Sequence, residues 1–559
     1  MEDDVRDRAC GANAGIQHLP AHLLSNLFAQ LYALGGPLAL GRVATVCRSF
    51  SEFGGVGRAW HTLDLTSCFV GPASDRDMQL LQYVARKMPK QVISLHLRTA
   101  PGLERTLAYG FPRFKCLQSL DLSGCADAPP ALQVSAKALL RGLSLLPSLD
   151  ELSLRGFNIG LPLEVFLPTS LARNQLTPLG LPRQTVSACE VQMSTIRDFL
   201  RQELPEEAHT GGRLASLSSI DARGASVFSI TLGQVASPAG IKFALPAWVL
   251  LPFLVSEDKP VRRLRLGWDG ETQSLPAVYQ ILFSFSQEGF LPDLDSLGGT
   301  IMNVLMTQAP NLEVLDWCGA YHLSTELSSV LPKAINLVDL RLNACESMVP
   351  HSFNRMKCPH LRSLNVRRLQ HFHGSAALAA FGGCPNLQRV NLSCTPFGDE
   401  EMEYLLMCCP LLEAVDLCYS GVTEKGAMKL VHARPQLRML GLSGLSGVSC
   451  QHIDTISEML PLLEFLALGG HPNPTGQLLS SNSINDAALK KIAANCQSLS
   501  KLYLQYLRNI TDSGVKAVME GCGKLQELLV KDCDGVGDAV VEAVQQRFSV
   551  VSEYNGDDI

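Results

Sequence analysis

Residues 501–525 read KLYLQYLRNITDSGVKAVMEGCGKL, and this stretch shows how the chain folds. Leu502 and Leu504 alternate with other residues at the spacing of a half-buried strand. The second half carries an apolar stripe at helical spacing: Val515, Val518, Met519 and Cys522. Thr511 and Asp512 stand where a helix N-cap is wanted. The stretch therefore predicts one short strand followed by one helix.

The same unit recurs along the chain. Segments of the form Leu-x-x-Leu-x-Leu, with valine or tryptophan in some slots, open at Leu312, Leu337, Leu361, Leu387, Leu412, Leu437, Leu463, Leu499 and Leu525. The openings lie 24 to 26 residues apart, except for one step of 36 (499 − 463). This is the leucine-rich-repeat signature, and because one such unit cannot bury its apolar face alone, the units stack. We expect an α/β solenoid of the leucine-rich-repeat horseshoe type, with one short parallel strand and one helix per repeat, that binds other proteins.

Earlier segments repeat the pattern less regularly. Leu-x-Leu strand triplets lie at Leu63–Leu65, Leu95–Leu97, Leu120–Leu122 and Leu152–Leu154. The segment Leu176-x-x-Leu179-x-Leu181 is another match to the full repeat pattern. Between about 182 and 260 the pattern degrades, and the segments beginning at Leu217 and Val261 are candidate strands separated by insertions. The sequence therefore predicts repeats over 63–182 and 261–548 and irregular repeats over 183–260. It predicts a disordered tail over 1–15 and a C-terminal tail over 549–559.

Composition narrows the class of protein. The formal net charge is −6, which is small for 559 residues and argues against nonspecific nucleic-acid binding. The longest apolar stretch, 241–255, is too short to span a bilayer and contains Lys242. We expect a soluble protein of the cytoplasm or nucleus, without a membrane partner.

The 18 cysteines follow the repeat. Several lie three residues before a repeat-opening leucine, namely Cys358, Cys384, Cys409, Cys496 and Cys522. Others lie three residues after the last strand leucine, namely Cys68, Cys125, Cys345 and Cys533. Both slots face a solenoid core, where cysteine acts as a small hydrophobe. We expect reduced thiols and no structural metal.

A separate apolar pattern precedes the first strand. Residues 16–62 predict short helices, and they include the following residues: Leu19, Pro20, Leu23, Leu24, Leu27, Phe28, Leu31, Val43, Val46, Cys47, Arg48 and Trp60. In type, order and spacing these residues resemble the F-box. The segment departs from that motif at Ala21-His22, where an acidic pair is common, and at Phe50, where tryptophan is commoner.

The resemblance implies a small all-α F-box over 16–62 that docks on a Skp-type adaptor, and through it on cullin and RING subunits. Leu19, Pro20, Leu23, Leu24, Leu27, Phe28, Leu31, Val43, Val46 and Cys47 would form the adaptor-binding surface. An F-box followed by repeats resembles the F-box/leucine-rich-repeat substrate receptors of SCF ubiquitin ligases, which have cysteine-containing repeats. The alternative is a helical cap that shields the first repeat of a scaffold or regulatory protein.

The residues between the strand leucines are expected on the concave surface, because side chains alternate along a strand. One group is basic: Arg263, Arg265, Arg341, Arg367, Arg368 and Arg389. The other is an apolar stripe: Tyr419, Met439, Phe465, Tyr503, Tyr506 and Leu529. The hypothesis is that an acidic or phosphorylated substrate segment meets the arginines while an apolar anchor meets the stripe.

Alternatives remain open for both groups. The arginines can instead form ion pairs with Asp316, Asp339 and Asp416 on neighbouring strands. The insertion 469–483 is either a binding loop or a tolerated insertion. The arginines also allow a small-molecule ligand, as in some plant hormone receptors of this architecture.

Catalytic motifs are absent from the sequence: it has no phosphate-binding loop, no dinucleotide fingerprint and no Gly-x-Ser-x-Gly elbow. His371 and His373 form a metal-like pair, but no nearby ligand completes it, so a surface loop is favoured. We expect a non-catalytic protein that needs no cofactor.

Overall fold

A computed structural model describes residues 61–64, 92–97, 113–123, 134–162, 217–223, 225–230, 244–246, 251–255, 260–267, 304–319, 327–345, 348, 350–470 and 484–549. The chain divides into two compact units, residues 1–308 and 309–559. None of the helices within the described ranges is long and apolar enough to cross a lipid bilayer.

The described part of the first unit contains short strands that belong to two sheets. They are β1 (Thr62–Asp64), β2 (Ser94–His96), β3 (Ser119–Asp121), β4 (Val134–Ser135), β5 (Glu151–Ser153), β6 (Asn158–Pro162), β7 (Ser219–Asp221), β8 (Ser226–Ile230), β9 (Ala244–Pro246) and β10 (Arg263–Gly267). Parallel pairing runs β1-β2-β3-β5-β7-β10, and each middle apolar residue lies opposite the next, as Leu120 lies opposite Leu152. The candidate strands at 217 and 261 are therefore confirmed as neighbours.

A second sheet, which the leucine spacing did not predict, lies in the same unit. Its order is β4-β6-β8-β9, and only β8 and β9 are antiparallel to each other. Its strands do not carry the Leu-x-x-Leu-x-Leu pattern, so the repeat gives no signal for it. This sheet supplies structure in the region where the repeats become irregular.

The second unit continues the repeat with regular spacing. Its strands are β11 (Val314–Cys318), β12 (Asp339–Arg341), β13 (Ser363–Asn365), β14 (Arg389–Asn391), β15 (Ala414–Asp416), β16 (Met439–Gly441), β17 (Phe465–Gly469), β18 (Lys501–Gln505) and β19 (Glu527–Lys531). All pair in parallel in chain order. Because the strands are consecutive and parallel, each connection must cross back, and the helices do so.

The described helices belong mostly to the second unit. They are α1 (Ala136–Ser144), α2 (Leu251–Leu254), α3 (Leu327–Val330), α4 (Ser375–Gly382), α5 (Asp399–Cys408), α6 (Glu424–Ala433), α7 (Cys450–Met459), α8 (Asp486–Asn495), α9 (Asp512–Gly521) and α10 (Asp538–Arg547). A short 3₁₀ turn at Pro350–Phe353 stands in place of a longer helix between β12 and β13, and another at Ala309–Asn311 follows helical residues 304–308. The α/β solenoid of leucine-rich-repeat type is therefore confirmed.

The predicted stripe of α9 packs inward as expected. Val515, Val518 and Cys522 are buried, and Met519 is partly buried. The strand leucines, such as Leu502 and Leu504, are also buried, so strands and helices share one apolar layer. Burial of these side chains is the main stabilising term, since each contributes about 1.5–3 kcal/mol relative to exposure.

Polar side chains at the helix starts join each repeat to the next. Thr511 caps α9, and its hydroxyl accepts a hydrogen bond from Ser513 N at 3.2 Å. The carboxylate of Asp486 accepts from Thr511 N at 2.7 Å and from Thr511 Oγ1 at 2.5 Å. Asp399 holds Thr423 in the same way, at 2.9 and 2.6 Å. The predicted caps thus also connect neighbouring repeats.

Candidate protein-interaction surface

The strand face of the second unit is the surface formed by residues that alternate with the buried strand leucines. It has two columns of side chains, because each strand core contributes two outward positions. The first column runs Val314, Asp339, Ser363, Arg389, Ala414, Met439, Phe465, Lys501 and Glu527; the second runs Asp316, Arg341, Asn365, Asn391, Asp416, Gly441, Ala467, Tyr503 and Leu529. Neighbours within a column are about 4.8 Å apart, so they contact one another.

Short Asx turns end three strands in the middle of this face. The side-chain oxygens of Asn365, Asn391 and Asp416 accept hydrogen bonds from the backbone N–H two residues later, at 3.1, 3.0 and 2.9 Å. These side chains are buried. Asn and Asp favour this local bond, which turns the chain away from the strand direction. The strands β13, β14 and β15 therefore stop after three residues.

A left-handed residue follows each of these turns. Positive φ values recur at the equivalent position of successive repeats, at Gly319, Ala344, Arg368, Cys394, Tyr419, Gly444, Tyr506 and Asp532. The Arg368 N–H donates to Ser393 O at 3.0 Å, and the Tyr419 N–H donates to Ser443 O at 2.8 Å. The turn column is thus fixed by hydrogen bonds between repeats, and it presents side chains beside the strand face.

Arg341 is held by neighbouring carboxylates. Its Nε lies 3.2 Å from Asp339 Oδ2 on the same strand. Burial acts to lower the pKa of Arg341, but the carboxylates of Asp339 and Asp316 outweigh it and raise that pKa. The ion-pair interpretation therefore holds for this arginine, which is largely committed to its neighbours.

Arg367, Arg368 and Arg389 have a different setting. Arg389 and Arg368 are exposed, and Arg367 is partly buried. Asp339, Asp316 and Asp416 do not form an ion pair with any of these three arginines, and neither does any other carboxylate in the described part of the chain. Their charges are therefore available on this surface.

Arg362 is a further unpaired arginine next to these three, and it was not among the arginines predicted for the concave surface. It is exposed, and its carbonyl oxygen accepts hydrogen bonds from Gln388 N at 2.9 Å and Arg389 N at 2.8 Å. The main chain of Arg362 therefore lies beside that of Arg389. In the sequence, Arg362 directly follows the repeat-opening Leu361. The prediction of the concave surface did not include that repeat position.

The predicted exposed stripe is wrong for Phe465, Tyr503 and Leu529. Their exposed fractions are only 1%, 2% and 6%. Phe465 and Tyr503 pack edge to face with ring centroids 5.2 Å apart, and they form one cluster with Ala414, Cys418 and Ala467. The reason is that side chains on adjacent parallel strands are close enough to cover one another. These residues form a second core on the strand face.

A hydrogen bond and an ion pair to Glu527 lie at the edge of this cluster. The Tyr503 hydroxyl donates to Glu527 Oε2 at 2.7 Å, and Lys501 Nζ lies 3.2 Å from Glu527 Oε1. The strands here, β17 to β19, are five residues long, and Ala467, Tyr503 and Leu529 occupy the slot that Asn365, Asn391 and Asp416 fill in β13 to β15. These three strands have no Asx side chain in that slot, and their ladder continues for two residues beyond it.

Tyr419, Met439 and Tyr506 remain partly exposed, as the stripe predicted. Tyr419 and Met439 pack against the buried cluster. The ring of Tyr419 lies over Gly444, where a Cβ would come within 2.3 Å of Tyr419 Cδ1. Since Gly444 also has φ +75°, both space and backbone favour glycine at this position.

The strand face of the first unit is polar and contains a hydrogen-bonded relay. His96 Nδ1 lies 3.2 Å from Asp121 Oδ2, and His96 Nε2 lies 3.0 Å from Ser94 Oγ. Burial acts to raise the pKa of Asp121, but hydrogen bonds from His96, Ser123 and Ser153 outweigh it and lower that pKa to about 2. Sequence reasoning missed this relay because its members come from two repeats.

The other two predicted arginines also lie in the first unit. Arg263 Nη1 lies 3.8 Å from Glu151 Oε1, and Arg265 Nη1 lies 4.0 Å from Asp221 Oδ2. Both contacts are long and partly exposed, so each contributes little to stability. These arginines are nevertheless paired, and the structure does not group them with Arg367, Arg368 and Arg389.

The buried cysteines match the predicted slots. Cys358, Cys384, Cys409, Cys496, Cys522, Cys345 and Cys533 are buried, whereas Cys68 and Cys125 lie outside the described residues. Burial raises the pKa of Cys409 and Cys496 to about 12. Their thiols therefore stay protonated at neutral pH and are poor nucleophiles.

Several predicted features lie outside the described residues. These are the helices of 16–60 with all ten adaptor-binding residues, the tails 1–15 and 550–559, the strand match at Leu176 and the loop 471–483. His371 and His373 are described, and both side chains are exposed.

Comparison with known proteins agrees with the repeat geometry. No family model matches the chain. F-box/LRR-repeat protein 4 of Bos taurus is 24% identical over 259 residues, which cover 44% of this chain and 36% of the relative. The chain therefore spans just over a third of the length of that relative. The order of strands and helices in this chain fits an α/β solenoid of leucine-rich-repeat type.

Two solved structures resemble parts of the chain at low sequence identity. A leucine-rich-repeat protein of Leptospira interrogans is 15% identical with a TM-score of 0.38, over 87% of this chain and 93% of that one. A chain of the Rad7 and Elc1 complex of yeast is 16% identical with a TM-score of 0.34, over 44% of this chain and 70% of that one. These scores are too low to transfer any site, so the surface is assigned from its own residues.

Proposed function

We propose that this protein is a substrate receptor of an SCF-type ubiquitin ligase. Residues 16–62 would bind a Skp-type adaptor, and the strand face would hold a protein substrate for ubiquitination and proteasomal degradation. The observation that carries the proposal is the F-box-like pattern from Leu19 to Trp60, which directly precedes the first repeat strand. The name of the bovine relative, F-box/LRR-repeat protein 4, supports the same combination.

The mechanism would be positional. By holding a substrate near a ubiquitin-charged conjugating enzyme, which cullin and RING subunits bring, the receptor raises the effective concentration of the two reactants. The chain itself performs no chemistry in this proposal and needs no cofactor. Its cellular site would be the cytoplasm, the nucleus or both.

Co-purification with a Skp-type adaptor tests the proposal. The test variant combines Leu19→Ala, Pro20→Ala and Leu23→Ala, and we expect it to lose the adaptor while the wild-type chain retains it. A matched control combines Leu411→Ala, Pro461→Ala and Leu462→Ala, which removes the same residue types from exposed positions of the repeats. Adaptor binding should survive in this control.

The alternative function is a scaffold or regulatory protein whose N-terminal helices cap the solenoid. It predicts a well-folded wild-type chain that does not bind the adaptor, and it predicts that the Leu19 variant loses thermal stability instead of a partner. Such a result would remove the ubiquitin-ligase assignment and leave a repeat protein that binds other proteins.

A further inference from the structure

We infer that Arg362, Arg367, Arg368 and Arg389 form a binding site for a phosphorylated segment of a protein substrate. The inference rests on the proposed function and names the substrate class. It begins with the charges of the strand face in the second unit. Arg341 is paired with Asp339, and Lys501 is paired with Glu527. Asp416 is buried and accepts a hydrogen bond from Cys418 N.

The charges of this face that remain without an ion pair are positive and lie close together. Among the described residues of this face, the arginines without an ion pair fall within β13, β14 and the residues beside them. The chain as a whole has a formal charge of −6, so the positive charge is concentrated and not a general property. Such a patch attracts an anionic partner and repels a basic one.

The backbone under the patch is held rigidly. Arg367 N donates to Asn365 Oδ1 at 3.1 Å, and Arg368 N donates to Ser393 O at 3.0 Å. Arg389 pairs with Ser363 in the register of β13 and β14. Because the main chain is fixed, binding would order only the side chains, which lowers its entropic cost.

The side chains themselves are suited to phosphate. All four are arginines, whose planar guanidinium groups form two parallel hydrogen bonds with phosphate oxygens. The Nε atom of Arg367 is buried and has no hydrogen-bond partner among the described residues, whereas Arg362, Arg368 and Arg389 are exposed and can present their guanidinium groups to a ligand. A phosphate carries up to two charges and three acceptor oxygens, and therefore engages several guanidinium groups better than one carboxylate does.

The spacing of the arginines sets the length of the segment. Arg389 lies opposite Ser363, and Arg367 lies four residues beyond Ser363 along the chain. The chain leaves the strand direction at the Asx turn of Asn365, so these four residues span less than the roughly 13 Å of a fully extended segment. A peptide with a phosphate at the Arg367 and Arg368 end would place a second acidic residue near Arg389 and Arg362 within about four residues.

Fluorescence anisotropy with degenerate peptide pools tests the site. The pools carry phosphoserine, glutamate or serine at one fixed position, and the full-length protein is titrated into each. We expect the phosphoserine pool to bind tightest. The double variant Arg368→Gln, Arg389→Gln should weaken that binding about tenfold or more, and added salt should weaken wild-type binding.

A control with the same change of charge is Lys425→Gln with Lys490→Gln, two exposed lysines on helices. It should bind the phosphoserine pool within about twofold of wild type. Since Arg368 and Arg389 are exposed, the double variant should fold, and its thermal unfolding shows whether it does.

Four results would overturn the inference. The first two are unchanged affinity in the folded arginine variant and equal binding of all three pools. The other two are tighter binding of a single-stranded RNA than of the phosphoserine pool, and binding of the glutamate pool as tight as that of the phosphoserine pool. Adaptor co-purification is measured separately on the same variant, so failure of this site and failure of the receptor proposal are distinguishable.

Discussion

The middle and the end of the second unit use the same repeat slot in opposite ways. In β13, β14 and β15 the last strand position is Asn365, Asn391 or Asp416, which ends the strand with an Asx turn. In β17, β18 and β19 the slot holds Ala467, Tyr503 or Leu529, and the strand continues for two more residues. In these six strands, this position separates a polar face beside unpaired arginines from an apolar face that its own side chains cover.

The largest loss of stability is expected when a buried aromatic side chain is removed from the apolar face of β17 to β19. Phe465→Ala should lower the free energy of unfolding by about 3–5 kcal/mol, because it leaves a cavity against Tyr503. Urea denaturation measures this. Phe465→Leu is the matched control and should lose less than half as much. Similar small losses in both variants would mean that Phe465 is solvent-exposed.

The polar slot is the next test. Asp416→Ala should cost about 2–3 kcal/mol, since the buried Cys418 N–H would lose its acceptor. Asp416→Asn keeps a side-chain oxygen, and we expect it to recover most of that loss in the same urea assay. If asparagine were as damaging as alanine, the Asx turn would not be the reason for aspartate here.

The contacts between repeats should contribute less. Asp486→Ala removes both hydrogen bonds to Thr511 and should cost about 1–2 kcal/mol in a thermal unfolding experiment. Asp538 is also the first residue of a helix, and Asp538→Ala serves as the control. It should cost less than about 0.5 kcal/mol, since it loses only the helix-dipole interaction. Equal losses would show that Asp486 acts as a local charge alone.

Asx turns of the first unit offer a test by pH. Hydrogen bonds lower the pKa of Asp121 to about 2, below its value of about 4 in an unfolded chain. The ionised carboxylate therefore contributes stability above about pH 4, and the contribution disappears as the pH falls toward 2.

For Asp121→Asn, we expect a loss on the order of 1 kcal/mol at pH 7 and a smaller difference from wild type at pH 2. Urea unfolding at the two pH values checks this. A difference that does not change with pH would contradict the role given to the charge.

The arginine patch should show the smallest effect on stability. Arg368→Gln with Arg389→Gln should change the free energy of unfolding by less than about 0.5 kcal/mol, because both side chains are exposed and lack a described carboxylate partner. A loss above about 1 kcal/mol would show that these arginines serve the fold and are not free for a ligand.

The sequence predicted much of this fold. The spacing of the strand leucines predicted the parallel strands, and Thr511 is a helix cap at the position that the sequence predicted. These features depend on residues close together in the chain. The second sheet of the first unit was not predicted, because its strands come from segments without a common pattern.

The surface was harder to predict than the fold. Alternation along one strand correctly placed Phe465 and Tyr503 outside the leucine core, but it could not show that they bury each other. Likewise, Arg341 and Arg389 look alike in sequence, and only the carboxylates beside Arg341 separate them. Exposure on a sheet depends on neighbours in other repeats, which a single repeat does not reveal.

Hydroxyl-radical footprinting of the purified protein tests the central claim most directly, because it measures side-chain exposure residue by residue. We predict slow modification of Tyr503 and Phe465, intermediate modification of Tyr419 and Tyr506, and fast modification of Met407, which is 71% exposed. Modification of Tyr503 at the rate of Tyr506 would contradict the account, and would return the aromatic residues to the binding surface.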